Sequence, residues 1–266
     1  MSQKPIFRTA TVLFKDRPAG VLSELSSGGS VFTYDPVYLT GASEPVGISL
    51  PLNIHAHSWM NELHPFFQHL GPEGGLRQTQ ARNASLDFDD DFGLLLAYGA
   101  DCIGAISIVN PSATPPLSPR APIESGNAAD VLGSRTISGV QPKYLAKGGN
   151  NSVLPAGMHE AATLIVKLPD ERLDQLVTNE DLSLRITRLL LGDAEVTEAR
   201  REFVPGVTGL ALVVRRFDRA QAGRKLRMEE FAQILAKPRG QRDTGKYDSS
   251  YEECAALIEQ HSARPQ

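Results

Sequence analysis

Apolar and polar positions alternate with period two over the first fifty residues, a pattern typical of strands that pack on one side. Val12 and Phe14 share a face of one such segment within residues 7–50. A second segment, SVFTYDPVYL at 30–39, is interrupted by Pro36, which removes a backbone donor from the ladder. This part of the chain is therefore predicted to form short strands and turns.

The pattern then changes to helical spacing. Residues 59–82 favour a helix in two pieces, because a Gly–Pro pair interrupts them. A capped helix is predicted over 92–98 and a buried strand over 103–109. Residues 111–130 contain five prolines among many small residues, so no packed element is expected there. We place a domain boundary in this Pro-rich linker.

In the second half, a strand is predicted at ATLIVKLP, residues 162–169, after a Gly-containing opening stretch, and it carries Lys167 near its end. A helix is predicted after it. Its start resembles a capping box, with Thr178 and Asp181 three positions apart, and Gly192 follows as a stop signal. Apolar residues recur in it at helical spacing, at Leu182, Ile186, Leu189 and Leu190.

An apolar strand with a polar exit, GLALVVRRFDR at 209–219, follows the helix, and a short amphipathic helix is predicted over 227–237. A Gly-containing loop, a strand with Lys167, a helix with Glu180 and this last strand stand in the order found in the N-lobe of a protein kinase. In such a lobe backbone N–H groups cradle phosphates, the lysine neutralises their charge, and the glutamate positions the lysine. Taken singly, each signal is weak, since a strand lysine is usually a solvated edge residue and a glutamate near a helix start usually favours the helix dipole.

Several segments together resemble one family. TISGVQPK at 136–143, LIVKLP at 164–169 and VVRRFDR at 213–219 look like matching parts of HipA-type serine/threonine kinases, the toxin components of bacterial toxin–antitoxin systems. VGISLPL at 46–52 and DDFGLLLAYGADCIGAISI at 90–108 look like the N-terminal subdomain of that family. Several motifs in the right order are more specific than any one of them.

The resemblance implies an α+β fold in which a β-rich N-terminal subdomain precedes a kinase-like N-lobe, an antiparallel sheet plus a helix. The implied domains are residues 1–110 for the subdomain, 111–130 for the linker, 131–240 for the N-lobe and 241–266 for the start of a C-lobe that is cut short.

The resemblance also implies an ATP site. The residues that would contact ATP are Ser138, Gly139, Val140, Gln141, Pro142, Lys143, Lys167, Arg215, Arg216 and Phe217. Adenine would meet the backbones of Arg215 and Phe217, and Glu180 would be the helix partner of Lys167. The family loop carries a regulatory autophosphorylation site, which here falls on Thr136 or Ser138. A phosphate there would add roughly −1.5 to −2 charges. The ordinary alternative is that these hydroxyls cap local backbone groups.

No catalytic residue is expected in this chain. A kinase needs an Asp to accept the substrate proton, an Asn and a second Asp for Mg²⁺, and in HipA-like kinases these lie in a D-x-H-x-x-N loop and beyond. Residues 144–266 contain no such loop. The sequence therefore predicts a truncated kinase that uses ATP, with Mg²⁺ bound through residues absent from this chain, and that is inactive alone. The alternatives are a non-catalytic module that binds an antitoxin or a kinase partner, and a remnant without function.

Composition and the remaining motifs limit the partners. With a net charge of −4 and a pI near 5.9, no direct nucleic-acid binding is expected. Two distant cysteines and no apolar run of membrane length indicate a cytoplasmic protein without a membrane partner. The resemblance implies a helix-turn-helix DNA-binding antitoxin as partner and a protein substrate such as an aminoacyl-tRNA synthetase. No metal site is expected. Four histidines are interpreted as surface residues: His55, His57, His64 and His69. The DFG segment at 91–93 is interpreted as the start of a helix, with Asp91 near its N-terminus.

Overall fold

The structure is a computed structural model that describes residues 8–41, 44–111, 141–149, 152–157, 160–170, 173, 175–220, 223–240 and 245–262. Of the residues predicted to contact ATP, Ser138, Gly139 and Val140 lie outside this range, as does Thr136.

The first sheet is antiparallel and has the strand order β4-β3-β2-β1-β5. Its strands are β1 (Thr9–Phe14), β2 (Arg17–Glu24), β3 (Ser30–Tyr34), β4 (His57–Trp59) and β5 (Ile106–Val109). Four helices accompany it: α1 (Pro36–Gly41), α2 (Pro65–Gln68), α3 (Gly74–Ala84) and α4 (Asp91–Tyr98). The period-two pattern is confirmed, because Val12 and Phe14 are both buried in the core of this domain against Phe66 and Phe67.

Helix α4 begins at the DFG segment, as predicted. Asp90 is its N-cap and its side chain accepts a hydrogen bond from the Gly93 N–H at 2.8 Å. The interpretation of the histidines as surface residues is wrong for His64 and His69, which are buried. His64 caps α2 by accepting from the Phe66 N–H, and burial lowers its pKa to about 4, so it stays neutral.

The second sheet is also antiparallel, in the order β7-β6-β8-β10-β9. Its strands are β6 (Lys143–Gly149), β7 (Ser152–Pro155), β8 (Leu164–Lys167), β9 (Ala199–Phe203) and β10 (Leu210–Arg215). Helix α5 (Leu176–Leu191) packs on one face of this sheet through Val177 and Leu184, which contact Leu212 and Val214. Two further helices follow, α6 (Phe231–Ile234) and α7 (Tyr251–His261).

The predicted capping box of α5 is wrong. The helix begins three residues earlier than predicted, with Gln175 as the N-cap, so Thr178 lies inside it. Asp181 is buried and pairs with Arg185 and Arg201, each at 3.0 Å, instead of capping a backbone N–H. The predicted stop at Gly192 is confirmed, since its N–H bonds to the Arg188 carbonyl as the helix ends.

The apolar positions that predicted α5 form an exposed stripe along it, which we call the α5 stripe: Leu182, Ile186, Leu189 and Leu190. They are 54%, 49%, 87% and 78% exposed. Helical periodicity therefore identified the element, but the face in contact with the sheet is the other one.

The chain returns to the first domain after β10. The Gln233 side chain donates to the Phe66 carbonyl at 2.8 Å, and the Arg239 N–H donates to the Gln68 side chain at 2.9 Å. The Glu229 carboxylate accepts from the Ile48 N–H at 2.9 Å. We call residues 225–240 the return segment. In space it belongs to the surface of the N-terminal domain, although in sequence it follows the second sheet.

Candidate functional site

The site is built around Lys167, the last residue of β8. Side chains alternate between the two faces of a strand, so Lys167 lies on the same face as Ile165, which is the face that α5 covers. Val177 fixes the first turn of α5 on that face, which brings Glu180 over the end of β8. Lys167 Nζ and the Glu180 carboxylate form an ion pair there, with both side chains about one quarter exposed. The lysine is thereby held in one position at the edge of the sheet.

A second lysine stands beside the first. Lys143 is the first residue of β6 and lies directly opposite Lys167 in the antiparallel register. Directly opposed residues share a face of the sheet, so two positive groups are neighbours here. Partial burial, followed by the charge of Lys167, lowers the pKa of Lys143 to about 8. Such a lysine pair is the arrangement expected where an anion binds.

The segment that leads into β6 is tied down next to these lysines. The Gln141 side chain donates to the Leu168 carbonyl at 3.1 Å, and the Leu168 N–H donates to the Pro142 carbonyl at 2.8 Å. Of the predicted phosphate loop, Gln141, Pro142 and Lys143 are thus placed beside the end of β8.

Carboxylates from other parts of the chain border the lysine pair. Glu73 and Glu230 both act on Lys143 through their negative charge, which opposes the lowering of its pKa. Glu73 is the residue that precedes helix α3 of the N-terminal domain, and its carboxylate forms an ion pair with Lys246 at 2.5 Å. The N-terminal domain therefore reaches the edge of the candidate site.

The predicted hinge is placed at the end of β10, and its residues differ in what they leave accessible. The Arg215 N–H donates to the Glu198 carbonyl, and its own carbonyl accepts from the Thr197 hydroxyl, each at 2.8 Å. The Arg216 side chain is buried in ion pairs, and its backbone N–H donates to the Thr163 carbonyl at 2.8 Å. Phe217 is 63% exposed. Phe217 is consequently the hinge residue best placed to offer backbone groups to a ligand.

A cavity of about 350 Å³ lies beside this hinge. Its lining includes Thr163, Leu164, Arg215, Arg216, Arg219 and Ala220. It borders both the exit of β10 and the start of β8, so this half-open cavity lies next to the strand that carries Lys167.

Sequence reasoning did not single out Asp101, Asp218 or Arg219, which surround Arg216. Arg216 binds Asp218 through two nitrogens at 2.9 and 2.7 Å. Burial alone would raise the pKa of the Asp218 carboxyl, but the hydrogen bonds and charge of Arg216 outweigh it and hold the pKa below its usual range. The sequence signal was the alternation of charges RRFDR directly after a buried strand.

Within the described residues, no three His, Cys, Asp or Glu side chains come together in a way that could hold a metal ion. Over the same residues, none of the helices has the length and apolar character needed to cross a bilayer.

Comparison with known proteins gives the family. The model of the HipA N-terminal domain matches residues 10–109, and that of the HipA-like C-terminal domain matches residues 135–266. The chain belongs to the HipA family. Two relatives from Sinorhizobium fredii (strain NBRC 101917 / NGR234) are described as putative kinases, Y4dM and Y4mE. They are 29% and 26% identical to this HipA chain over 86% and 97% of its length.

A solved structure is similar in fold. It is a complex of HipA and HipB with operator DNA from the toxin–antitoxin system of Shewanella oneidensis MR-1. Its match has a TM-score of 0.67 at 21% identity and covers 94% of the present chain. The chain spans 60% and 66% of the two curated relatives and 64% of the matched chain in that structure. The C-terminal family model matches as far as residue 266, and the predicted absence of the C-lobe stays a prediction.

Proposed function

We propose that this chain supplies the nucleotide-binding part of a HipA-type protein serine/threonine kinase, which transfers the γ-phosphate of ATP to a protein Ser or Thr. The observation that carries the proposal is the group formed by Lys143, Lys167 and Glu180. A strand lysine positioned by a helix glutamate is the arrangement that protein kinases use to hold ATP phosphates.

The residues present fit a triphosphate. Lys167 is oriented by Glu180, and Lys143 adds a second positive charge directly opposite it. Two facing ammonium groups repel each other, and an anion between them removes that repulsion. The loop from Ser138 to Lys143 is proposed to contact the phosphates, and the backbone at Phe217 the base. A phosphate on Thr136 or Ser138 is proposed to displace the nucleotide.

Catalysis requires more than this group. Residues 144–266 hold no D-x-H-x-x-N segment, so we expect this chain alone to bind ATP without transferring phosphate. The chemistry of Mg²⁺, which would neutralise the charge that develops on the phosphates, is proposed to depend on residues outside this chain.

The proposed biological setting is cytoplasmic. The structurally similar HipA occurs in a complex with HipB and operator DNA. We therefore propose a DNA-binding antitoxin of the helix-turn-helix type as a partner of this chain. The substrate is proposed to be a protein, with aminoacyl-tRNA synthetases as first candidates to assay.

The test is ATP binding to the purified chain by isothermal titration calorimetry. Lys167→Ala should reduce the affinity for ATP by about tenfold or more, since it removes a charged hydrogen bond to phosphate. Lys147→Ala is the matched control, because Lys147 lies on the same sheet but pairs with Glu160 at its surface. Equal affinities of wild type and Lys167→Ala, or no binding of ATP by the wild type, would contradict the proposal.

One observation favours a second function. The α5 stripe exposes four large apolar side chains, more than a monomeric helix surface usually leaves to water. A non-catalytic module that binds an antitoxin or a kinase partner would use such a surface. In that case Leu189→Glu would abolish complex formation in co-purification with the antitoxin, and Lys167→Ala would leave it intact.

A further inference from the structure

Three charged residues at the exit of β10 point away from the second sheet and into the N-terminal domain. Arg216, Asp218 and Arg219 have side chains that are 0%, 5% and 5% exposed. They flank Phe217 in the sequence, and the Phe217 side chain is largely exposed. The hinge backbone is therefore not held by packing of the Phe217 side chain, and its position depends on the residues on either side of it.

Those residues are bound by one loop of the N-terminal domain. The Asp101 carboxylate accepts from Arg219 at 2.6 Å and from Arg216 at 3.4 Å. The Cys102 carbonyl accepts from the same two side chains at 2.9 and 3.3 Å. The Gly104 N–H donates to Asp218 at 2.8 Å, and the Gly104 carbonyl accepts from Arg219 at 2.8 Å. We call this set of contacts the hinge clamp.

The loop that makes the hinge clamp is itself fixed. Gly104 has a φ of +77°, a conformation that favours glycine, and a Cβ there would lie 2.8 Å from the Met228 carbonyl oxygen. Cys102, beside it, is fully buried, and its thiol donates to the Gly99 carbonyl. The loop that binds the clamp residues is therefore anchored in the N-terminal domain by its own contacts.

We propose that Asp101 is a positioning residue for recognition of the adenine base, because it fixes the hinge backbone at Phe217 through Arg216 and Arg219. This inference rests on the proposed nucleotide site and goes beyond it by giving the N-terminal domain a role in ligand choice. Base contacts by a hinge need a backbone N–H and carbonyl at defined positions. The proposed phosphate contacts at Lys143 and Lys167 lie at the end of β8 that is away from the hinge, so we expect them not to depend on the clamp.

The experiment compares two ligands on the full chain: ATP, which has a base, and inorganic tripolyphosphate, which has none. Asp101→Asn keeps the shape of the side chain but removes its charge. We expect it to weaken ATP binding by about tenfold, as for the loss of one or two hydrogen bonds, and to leave tripolyphosphate affinity unchanged. Asp101→Glu, which keeps the charge, should restore part of the ATP affinity.

Asp90→Asn is the matched control. Asp90 pairs with Arg8 in the same domain, at 2.6 Å, but makes no contact with the clamp. Its loss should leave the affinities for both ligands unchanged.

The outcomes distinguish failure of the proposed nucleotide site from failure of the positioning role of Asp101. Wild type that binds neither ligand overturns the proposed function and this inference with it. Wild type that binds both, with Asp101→Asn affecting both ligands equally or neither, overturns only the inference. Should Asp101→Asn fail to fold by circular dichroism, Asp101→Glu carries the same comparison, and equal changes for the two ligands would again reject the positioning role.

Discussion

Lys143 and Lys167 lie directly opposite each other on β6 and β8, and Lys167 forms an ion pair with Glu180. This arrangement destabilises the charged form of Lys143, because burial and the charge of Lys167 lower its pKa to about 8. A lysine that titrates this close to neutral pH makes ligand binding depend on protons.

Nucleotide binding should therefore take up protons near pH 8. An anion favours the charged form of Lys143, so binding raises its pKa toward the ordinary value of 10.5 and the complex holds more protons than the free chain. We expect affinity for ATP to fall as the pH rises from 7 to 9. Calorimetry at pH 8 in two buffers with different ionisation enthalpies measures the uptake directly. Lys143→Met should abolish it, and uptake that persists in this variant would assign the proton to another group.

The two faces of α5 should respond differently to truncation. Leu212 on β10 is completely buried beneath the helix, so Leu212→Ala is expected to lower the free energy of unfolding by about 2–5 kcal/mol. Leu189, in the α5 stripe, is 87% exposed, and Leu189→Ala should change the free energy of unfolding by less than about 0.5 kcal/mol. Urea denaturation measures both. A large loss in Leu189→Ala would mean that the stripe is covered in solution.

Two glycines offer a matched pair in the N-terminal domain. At Gly47 a Cβ would lie 2.4 Å from the ring of Phe66, which is buried, so Gly47→Ala should cost about 1–3 kcal/mol of stability. At Gly75 in α3 a Cβ meets nothing within 4 Å, and Gly75→Ala should stabilise the helix by up to about 1 kcal/mol. Thermal unfolding of the two variants should shift in opposite directions, and a shared direction would refute the packing argument at Gly47.

The two thiols should differ in reactivity. Cys102 is fully buried, and desolvation raises its pKa to about 12, so almost none of it is thiolate at pH 8. Cys254 is partly exposed on α7. We expect an aromatic disulfide reagent to modify one thiol per native chain and two after denaturation. Cys254→Ser should remove the fast reaction, and fast modification of Cys102 would show that its loop opens.

Local sequence patterns predicted correctly those strands and helices whose faces and caps depend only on neighbouring residues. The alternation around Val12 and Phe14 predicted β1, and the Asp-rich start at 90–91 predicted α4, because strand faces and helix caps depend on neighbouring residues. Helix α5 shows the limit. Its apolar spacing predicted a helix. The face that touches the sheet, however, includes a buried carboxylate, Asp181, which forms an ion pair with Arg201 on strand β9.

The candidate site divides in the same way. The lysine, the glutamate and the strand exit were found from their order along the sequence. The hinge clamp could not be found so, since Asp101 and Arg219 are 118 positions apart and the segments that contain them do not show along the sequence that the two side chains meet. A contact of that separation leaves a signal only in three dimensions.

The return segment imposes an order of events on synthesis of the chain. The Asp91 carboxylate accepts a hydrogen bond from Arg239, which is translated 148 residues later. The Phe66 carbonyl likewise accepts from Gln233, which is also translated much later. At ribosomal rates of about 5–20 residues per second, this surface stays uncovered for roughly 7 to 30 s. During that interval the Asp91 carboxylate and the Phe66 carbonyl of the emerging N-terminal domain lack these two hydrogen-bond donors.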